Sequence, residues 1–176
     1  RQNSGRILMF FKAMPGLVYK ANNSTIVTKD IFQRVGLDRQ LNSALALDSY
    51  YIKEGETPDI LANNIYGSSR YHWVILTVND IVSLHDEWPK LDGEMYNYTS
   101  DKYGAGNHIN DHHYRLASDN TIIVDYDPVG ISDGTVEVVS NFNHEVEINE
   151  KKRQIFLLKK SFLARFIINY KELMSK

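Results

Sequence analysis

Residues 50–81 constrain the fold more than any other part of the chain. The apolar start of this stretch indicates a strand, and Gly55 marks a turn because glycine enters left-handed backbone conformations at little cost. Thr57 suits the N-cap of a helix, and Pro58 suits its first position, where no backbone N–H is needed. Gly67 suits the C-cap of the same helix. The stretch therefore predicts a strand, a turn and a helix, followed by a second helix.

The core of this unit follows from helical spacing. Leu61 and Ile65 are four positions apart and share one face of the first helix. The second predicted helix, residues 71–78, is apolar nearly all round, which indicates burial on more than one side. We expect the strand and both helices to contribute to the core, through Ile52, Leu61, Ile65, Trp73 and Val74.

The same stretch resembles the LysM module, whose usual run is a hydrophobic strand, Gly-Asp-Thr, a helix with Ile/Leu-Ala, and Tyr-Gly. Leu61-Ala62 and Tyr66-Gly67 stand at the matching places. A LysM module closes with a strand soon after the Asn of its second helix, but here Asn79-Asp80-Ile81 runs into Val-Ser-Leu-His-Asp-Glu-Trp-Pro. The resemblance implies a binding or scaffold module. It does not establish whether the closing strand, and with it the sugar groove, is present.

A second resemblance covers most of the chain and rests on three blocks in a fixed order. They are Thr28 with Asp30-Ile31-Phe32; then Tyr50-Tyr51-Ile52-Lys53, Ala62-Asn63, Ile65-Tyr66-Gly67, Trp73-Val74, Leu76 and Asn79-Asp80; then Asn149-Glu150-Lys151 and Arg153-Gln154-Ile155 with a closing helix. In these blocks the chain resembles the baseplate wedge protein of T-even-type contractile-tailed phages (the gene product 53 family), which carries a LysM-like domain. Residues 104–142 match poorly, so nothing about them follows from this resemblance.

The family resemblance implies a structural subunit without catalysis. Such a subunit joins neighbouring wedges and contacts other wedge proteins and the central hub in a ring of sixfold type. It implies a place in the tail baseplate of the virion, after assembly in the host cytoplasm, with no cofactor, no nucleic-acid partner and no membrane partner. The alternative is a LysM-type module that binds peptidoglycan or another carbohydrate, with stacking faces from Tyr66, Tyr71, Trp73 and Trp88.

We therefore predict an α+β fold in four segments. Residues 1–48 are an N-terminal extension with short helices at 31–35 and 38–46, residues 49–103 the LysM-like βαα(β) domain and a following helix, residues 104–148 a hairpin and loop region, and residues 149–176 a strand and amphipathic helix that dock. Turn residues and period-two patterns predict the finer elements. These are a helix at 92–102, a hairpin of 114–116 with 121–126, a loop at 128–134, strands at 136–139, 145–148 and 154–158, and a last helix capped by Ser161.

The charge is distributed very unevenly along the chain. Residues 1–50 carry a net +4, residues 51–150 a net −13 and residues 151–176 a net +7, which together give the overall −2. Basic ends beside an acidic middle favour complementary protein contacts, either with a partner or within the chain itself. The predicted interface residues are apolar or basic side chains of the ends and of one turn, namely Phe10, Phe11, Phe32, Trp88, Arg153, Phe162 and Phe166.

Chemistry-bearing residues form no recognised catalytic or metal motif. His108, Asp111, His112 and His113 lie close in sequence, but their spacing matches no standard zinc site and the stretch is loop-like, so we predict no metal. The chain has no cysteine, which excludes disulfides and thiolate ligands. Asp125 and other carboxylates suit polar strand edges, and no nucleophile motif or phosphate-binding loop is present. The sequence therefore predicts no enzyme.

Overall fold

The computed structural model describes residues 15–21, 24–29 and 45–174. The predicted helix at 31–35, nearly all of that at 38–46, and Phe10, Phe11 and Phe32 lie outside these ranges. Helices and small sheets alternate along the chain, which confirms the predicted α+β class. Among the described helices, none is both long enough and apolar enough to span a bilayer.

The elements in chain order set the labels used below. The strands are β1 Gly16–Ala21, β2 Ser24–Lys29, β3 Leu47–Tyr51, β4 Asp111–Leu116, β5 Asp119–Val124, β6 Val136–Ser140 and β7 Gln154–Leu158. The helices are α1 Pro58–Tyr66, α2 His72–Val78, α3 Leu84–Glu87, α4 Met95–Tyr103, α5 Pro128–Asp133, α6 Asn141–Lys152 and α7 Leu163–Met174. Short 3-10 turns are formed by Ser69–Tyr71, Asp92–Glu94, Asn107–Ile109 and Lys160–Phe162.

The contacts group the described residues into two compact units. Unit 1 holds the described residues up to Tyr51, together with Glu56–Leu84 and the described part of Ile155–Lys176. Unit 2 holds Ile52–Gly55 and His85–Gln154. The division into four segments that the sequence suggests stays a prediction.

Helix α1 begins and ends where the sequence predicts. Thr57 is at the N-cap with extended backbone and Pro58 follows at the first position, while Gly67 ends the helix in the left-handed region at φ 79°. The Thr57 hydroxyl donates to the Asp59 carboxylate instead of capping a backbone N–H. Helix α2 follows after the short 3-10 turn, close to the predicted range of 71–78.

The strand that pairs with β3 comes from the far end of the chain. β3 and β7 form a two-stranded sheet. The Lys159 N–H donates to the Ala46 carbonyl just before β3, and the Ile52 N–H just after β3 donates to the Arg153 carbonyl, so the two strands are antiparallel. Unit 1 therefore has its closing strand, but that strand does not follow α2 directly.

The core of unit 1 combines α1, α2, β7 and α7. Its most buried side chains include Leu61, Val74 and Leu158, each no more than 1% exposed. The Trp73 ring lies 4.7 Å from the Tyr170 ring and 5.7 Å from the Phe166 ring, between centroids, so α7 packs on α2. These contacts bury the apolar stripe of α7 within unit 1.

Unit 2 is built on a three-stranded antiparallel sheet in the order β5-β4-β6. The predicted hairpin is present as β4 and β5, with Tyr114 opposite Val124. The pairing of β4 with β6 shifts register between Asp111 and His113, which leaves His112 as an extra residue on β4. The predicted strand at 136–139 corresponds to β6.

The predicted strand at 145–148 is wrong, because these residues lie in helix α6. The Ser140 side chain accepts from the Asn143 N–H and so starts the helix. The buried face of α6 consists of Asn141, Glu145 and Asn149, which recur every four residues but are polar. An apolar helical stripe was therefore missing from the sequence, and the alternation of residues 145–148 gave the wrong period.

Two smaller predictions are also wrong for local reasons. The predicted loop at 128–134 is helix α5, since the Asp127 carboxylate accepts from the Val129 N–H, Pro128 occupies the first turn, and Gly134 ends the helix. Ser161 does not cap the last helix, because it lies inside the 3-10 turn that precedes α7.

Candidate protein-interaction surfaces and a histidine cluster

The hairpin of β1 and β2 exposes apolar side chains in unit 1. Val18 and Val27 are directly opposite each other in the register and are 61% and 70% exposed. Leu17, Tyr19 and Ile26, which alternate with them, are also exposed. Because a two-stranded hairpin is only marginally stable in water, exposed apolar residues along both strands suit a surface that another chain covers.

A second apolar surface lies at one edge of unit 2. β5 is an edge strand, and Ile123 on it is 70% exposed. Ile122 on the same strand, and Tyr126 and Val129 just beyond it, are exposed as well. An exposed edge strand carries backbone groups that can pair with a further strand. This edge is therefore the second surface suited to protein contact.

The predicted interface residues of the described chain lie mostly in the interior. Trp88, Arg153 and Phe166 are buried, and Phe162 is half-buried. Phe166 packs against Trp73 within unit 1, and Arg153 forms ion pairs within unit 2. These three side chains are therefore buried within the described chain, and their role in an interface stays a prediction.

Arg153 organises one end of unit 2 through three carboxylates. Its guanidinium donates to Glu54, to Asp92 at 2.8 Å and to Glu150 at 3.0 Å, while the side chain itself is only 6% exposed. Burial alone would lower the pKa of Arg153, but the hydrogen bond and charge of Glu54 and the charges of Glu150 and Asp92 raise it. The same contacts bind together three separate parts of the chain.

Asn149 has a similar structural role one helical turn earlier. Its side-chain oxygen accepts from the Lys90 N–H at 2.8 Å, and its side-chain amide donates to the Lys90 carbonyl at 3.0 Å. The Asn149 amide group thus pairs with both backbone groups of Lys90, in the way that the backbone of a neighbouring strand would. Both Asn149 and Arg153 belong to the third sequence block, whose polar residues the sequence alone could not place in the interior.

The predicted core residues of the βαα unit lie as follows. Ile52, Leu61, Trp73 and Val74 are buried, and Ile65 is half-buried. Ile52 groups with unit 2, whereas the other four group with unit 1.

The four aromatic residues considered for sugar stacking offer little open surface. Tyr66, Trp73 and Trp88 are buried, and Tyr71 is half-buried. The Tyr66 hydroxyl donates to the Leu158 carbonyl at 3.0 Å, and burial raises the pKa of this phenol to about 12. These residues therefore form packing contacts, and no stacking platform results from them.

The structure brings the adjacent residues His112 and His113 together with a third histidine that is distant in sequence. His112 and His113 on β4 meet His144 on α6, and each ring offers one nitrogen such that the three nitrogens lie within 4.8 Å of one another. The His112 and His144 rings stack with centroids 3.7 Å apart, and the two Nδ1 atoms of His112 and His113 are 2.8 Å apart. The sequence pattern groups His112 and His113 with His108 and Asp111 instead, and it does not connect them to His144, which lies further along the chain.

The two other members of the sequence cluster have different partners. The His108 ring packs edge-on against Tyr96, with centroids 4.7 Å apart. The Asp111 carboxylate accepts a hydrogen bond from the Tyr114 hydroxyl at 2.7 Å. His112, His113 and His144 are called the histidine cluster from here on.

The surroundings of His113 and His144 favour the neutral form of these two rings. Burial lowers the pKa of His113 and of His144, and the neighbouring His112 lowers both further. Next to His144, the Glu145 carboxylate accepts from Lys102 Nζ and from the Tyr103 hydroxyl, each at 2.7 Å. Burial would raise the pKa of Glu145, but these hydrogen bonds lower it, so it is charged at neutral pH.

Several carboxylates that could suggest catalysis have structural partners. Arg115 is buried and pairs with Glu137 at 2.9 Å and with Glu147 at 2.7 Å. Asp127 caps helix α5. Within the described residues, these carboxylates are engaged in ion pairs and caps.

Comparisons with known proteins agree with one another. A family model described as base plate wedge protein 53 matches residues 7–127. The chain is 30% identical to the protein named baseplate wedge protein gp53 of Enterobacteria phage T4, over 172 residues that cover 88% of each chain.

Proposed function

Because this chain belongs to the base plate wedge protein 53 family and is a structural protein of the phage tail baseplate, we propose that it acts without catalysis as a connector between baseplate subunits. In this proposal it joins neighbouring wedges and contacts wedge and hub proteins in a ring of sixfold type. The observation that carries the proposal is the exposed apolar hairpin of β1 and β2.

The apolar side chains of the hairpin would be stabilised by burial. Leu17, Val18, Tyr19, Ile26 and Val27 keep between 38% and 70% of their surface exposed, although each would favour burial. Covering such side chains with a partner removes apolar area from water and also stabilises the paired strands. A hairpin of this kind therefore suits a segment that becomes stably held on assembly.

We also propose that β3, α1, α2 and β7 form the LysM-like unit. Their order and their antiparallel strands agree with a βααβ arrangement, with the closing strand supplied by residues 154–158. In this arrangement the unit is a scaffold that holds its surroundings in place. The burial of Tyr66, Trp73 and Trp88 argues against the alternative of carbohydrate binding.

The proposal is tested with the double variant Val18→Thr, Val27→Thr. Threonine keeps the β-branched shape that suits a strand but replaces a methyl group by a hydroxyl, so the hairpin can form while its apolar surface is reduced. The matched control is Thr25→Ser, an exposed change in the same hairpin.

The measurement is assembly of purified wedges into baseplate rings, followed by sedimentation and electron microscopy. We expect the double variant to shift the balance from rings to free wedges and the control to assemble as the wild type does. If the double variant formed rings at the wild-type level, the hairpin would not be part of the interface and the proposal would be wrong. A pull-down with peptidoglycan tests the alternative function. Retention of the wild-type chain on peptidoglycan would support carbohydrate binding.

A further inference from the structure

We propose that the histidine cluster is a binding site for a divalent transition-metal ion, with Zn²⁺ as the best-suited ion. His112 and His113 supply two ligands from β4, and His144 supplies the third from α6. The proposal is independent of the connector role, since it rests only on contacts within unit 2.

A bulge in β4 explains how two neighbouring residues can serve one site. Side chains of consecutive residues in a regular strand point to opposite faces, so His112 and His113 would normally lie apart. The register shift between Asp111 and His113 makes His112 an extra residue, and such bulges re-aim side chains. The 2.8 Å between the two Nδ1 atoms is the result.

The third ligand comes from the first part of α6. Ser140 starts the helix directly after β6, which pairs with β4, so the helix is placed close to the strand that carries His112 and His113. The His144 ring stacks on His112 with an interplanar angle of 13° and lies edge-on to His113 at 5.5 Å between centroids. All three rings therefore converge from two elements.

The distances suit a common ion after small side-chain rotations. With metal–nitrogen bonds of about 2.0–2.1 Å, two nitrogens bound to one tetrahedral ion are about 3.3–3.4 Å apart, and they can be no more than about 4.2 Å apart in any geometry. The ligand atoms of the cluster lie within 4.8 Å of one another, and the closest pair is at 2.8 Å. For a tetrahedral ion, side-chain rotations must open the closest pair by about 0.5 Å and close the widest pair by up to about 1.4 Å.

The donor set selects the class of metal. Three imidazoles without a carboxylate suit Zn²⁺, Cu²⁺, Ni²⁺ or Co²⁺, whereas Mg²⁺ and Ca²⁺ prefer oxygen ligands. The carboxylate of Glu145, the residue after His144, accepts from Lys102 and Tyr103 and is not grouped with the three ligand atoms. Three protein ligands leave a coordination position for water or for a side chain of another chain.

The exposure of the cluster also suits metal binding. His112 is exposed and His113 and His144 are half-buried, so an ion from solution can reach the ligand atoms. A bound ion would link β4 to α6, a connection that a chain without cysteines cannot make with a disulfide.

The test uses the untagged full-length protein, freed of metal by chelator and dialysis. Isothermal titration with ZnCl₂ should show one ion bound per chain, with MgCl₂ as the negative comparison. Titration with CoCl₂ should give the visible absorption bands of a nitrogen-coordinated, low-coordination Co²⁺ centre. Absence of saturable Zn²⁺ binding in the wild type would overturn the proposal.

Variants assign the ligands. His144→Asn should weaken Zn²⁺ binding by at least about tenfold, since removing even a group that supports a ligand costs about 10–100-fold. His85→Asn is the matched control, because His85 is exposed and outside the cluster, and it should bind as the wild type does. Equal affinity of His144→Asn and the wild type would overturn the assignment.

A measurement on the unaltered chain covers the case in which His144→Asn fails to fold. Hydrogen exchange of the wild type with and without Zn²⁺ should show slower exchange in β4 and in the first turns of α6. If Zn²⁺ binds but protection changes elsewhere and not in these two elements, the ion occupies another site and the proposal fails.

Discussion

Arg153 shows how one side chain can hold several parts of unit 2 together. It is buried, yet its partners Glu54, Asp92 and Glu150 are each between 46% and 73% exposed at the side chain. The guanidinium is thus shielded by carboxylates that themselves remain in contact with water. This arrangement avoids the full desolvation cost of a buried ion pair and makes the arginine a structural centre.

Replacement of Arg153 by methionine should lower the stability of unit 2. Methionine fills part of the space but leaves three carboxylates facing one another, and we expect a loss of about 1–3 kcal/mol, less than for a fully buried pair because the carboxylates can be hydrated. Urea denaturation measures this change in the free energy of unfolding. Lys151→Met, at an exposed position near the end of α6, is the control and should unfold at the wild-type midpoint.

The lowered pKa of Glu54 predicts that the protein loses some stability in acid. Its pKa is lowered from the usual 4.5, first by the hydrogen bond from the Asp92 N–H and then by that from Arg153. Because the folded-state pKa lies below the unfolded one, the stabilisation is present above about pH 4.5 and is lost as pH falls through the lowered value. Glu54→Gln should therefore differ from the wild type near neutral pH and converge with it in acid.

We expect only a small difference in the free energy of unfolding between Glu54→Gln and the wild type. The reason is that the Glu54 side chain is 48% exposed and solvent screens its charge. We expect less than about 1 kcal/mol at neutral pH. Melting temperatures between about pH 7 and about pH 3 provide the measurement. Glu94→Gln is the control, and a difference between Glu54→Gln and the wild type that persists unchanged in acid would contradict the prediction.

Single residues were predictable from the sequence where their role is apolar. Leu61, Trp73 and Val74 follow from helical spacing and are buried. Arg153 and Asn149 carry polar side chains that usually lie at the surface, and their partners are distant in sequence, so no local pattern could place them inside. His144 was missed for the same reason, because its neighbours come from β4.

At the scale of elements, strand β7 is held from both sides. One edge pairs with β3, and the Phe156 backbone is held by Asn79 beyond the end of α2. The Asn79 side chain accepts from the Phe156 N–H and donates to the Phe156 carbonyl, each at 2.8 Å. Asn79 therefore pairs with the Phe156 backbone as a residue of a further strand would.

Asn79→Ala should weaken this hold on β7. Both backbone groups of Phe156 would lose their partner, but water can reach them, so the expected cost is about 1 kcal/mol. Hydrogen exchange should be faster in β7 than in the wild type, and the melting temperature should fall by a few degrees. Asn64→Ala, at an exposed position of α1, is the control; unchanged exchange of the Phe156 amide in Asn79→Ala would contradict the prediction.

Elements with local signals were predicted well, and those with tertiary causes were not. Helices α1 and α2 and strand β7 follow from caps, turns and apolar patterns. Helix α6 does not follow from the sequence because its buried face is polar. Helix α5 does not follow from it because Pro128 and Gly134 are typical loop residues, although here they begin and end a helix.

At the scale of the whole molecule, elements that form one unit are far apart in the sequence. Residues of unit 1 before Leu84 and after Ile155 share a core, whereas most residues between them form unit 2. The sequence predicted a strand over 154–158 but assigned it to a docking segment. It could not show that this strand closes the unit begun by β3, because pairing over such a distance leaves no local pattern.

This organisation predicts that unit 1 can fold when most of unit 2 is removed. The Asn79 side chain contacts the Phe156 backbone, so the chain leaves and re-enters unit 1 at neighbouring points. We propose replacing residues 82–152 by a Gly-Ser linker of about eight residues, which spans about 16 Å as a flexible coil. The shortened chain keeps α1, α2, β3, β7 and α7, and with them the apolar core of unit 1.

The shortened chain also provides its own probe. The sequence has two tryptophans, and the deletion removes Trp88, which leaves Trp73 in its contacts with Phe166 and Tyr170. We expect a cooperative melt with blue-shifted Trp73 emission, because packing of these rings needs no residue of the deleted segment. Adding Leu61→Asp should abolish the melt, since an unpaired carboxylate at a position only 1% exposed costs several kcal/mol of a total stability of about 5–15 kcal/mol. Emission typical of a hydrated indole in the shortened chain without Leu61→Asp would show instead that unit 1 requires unit 2 to fold.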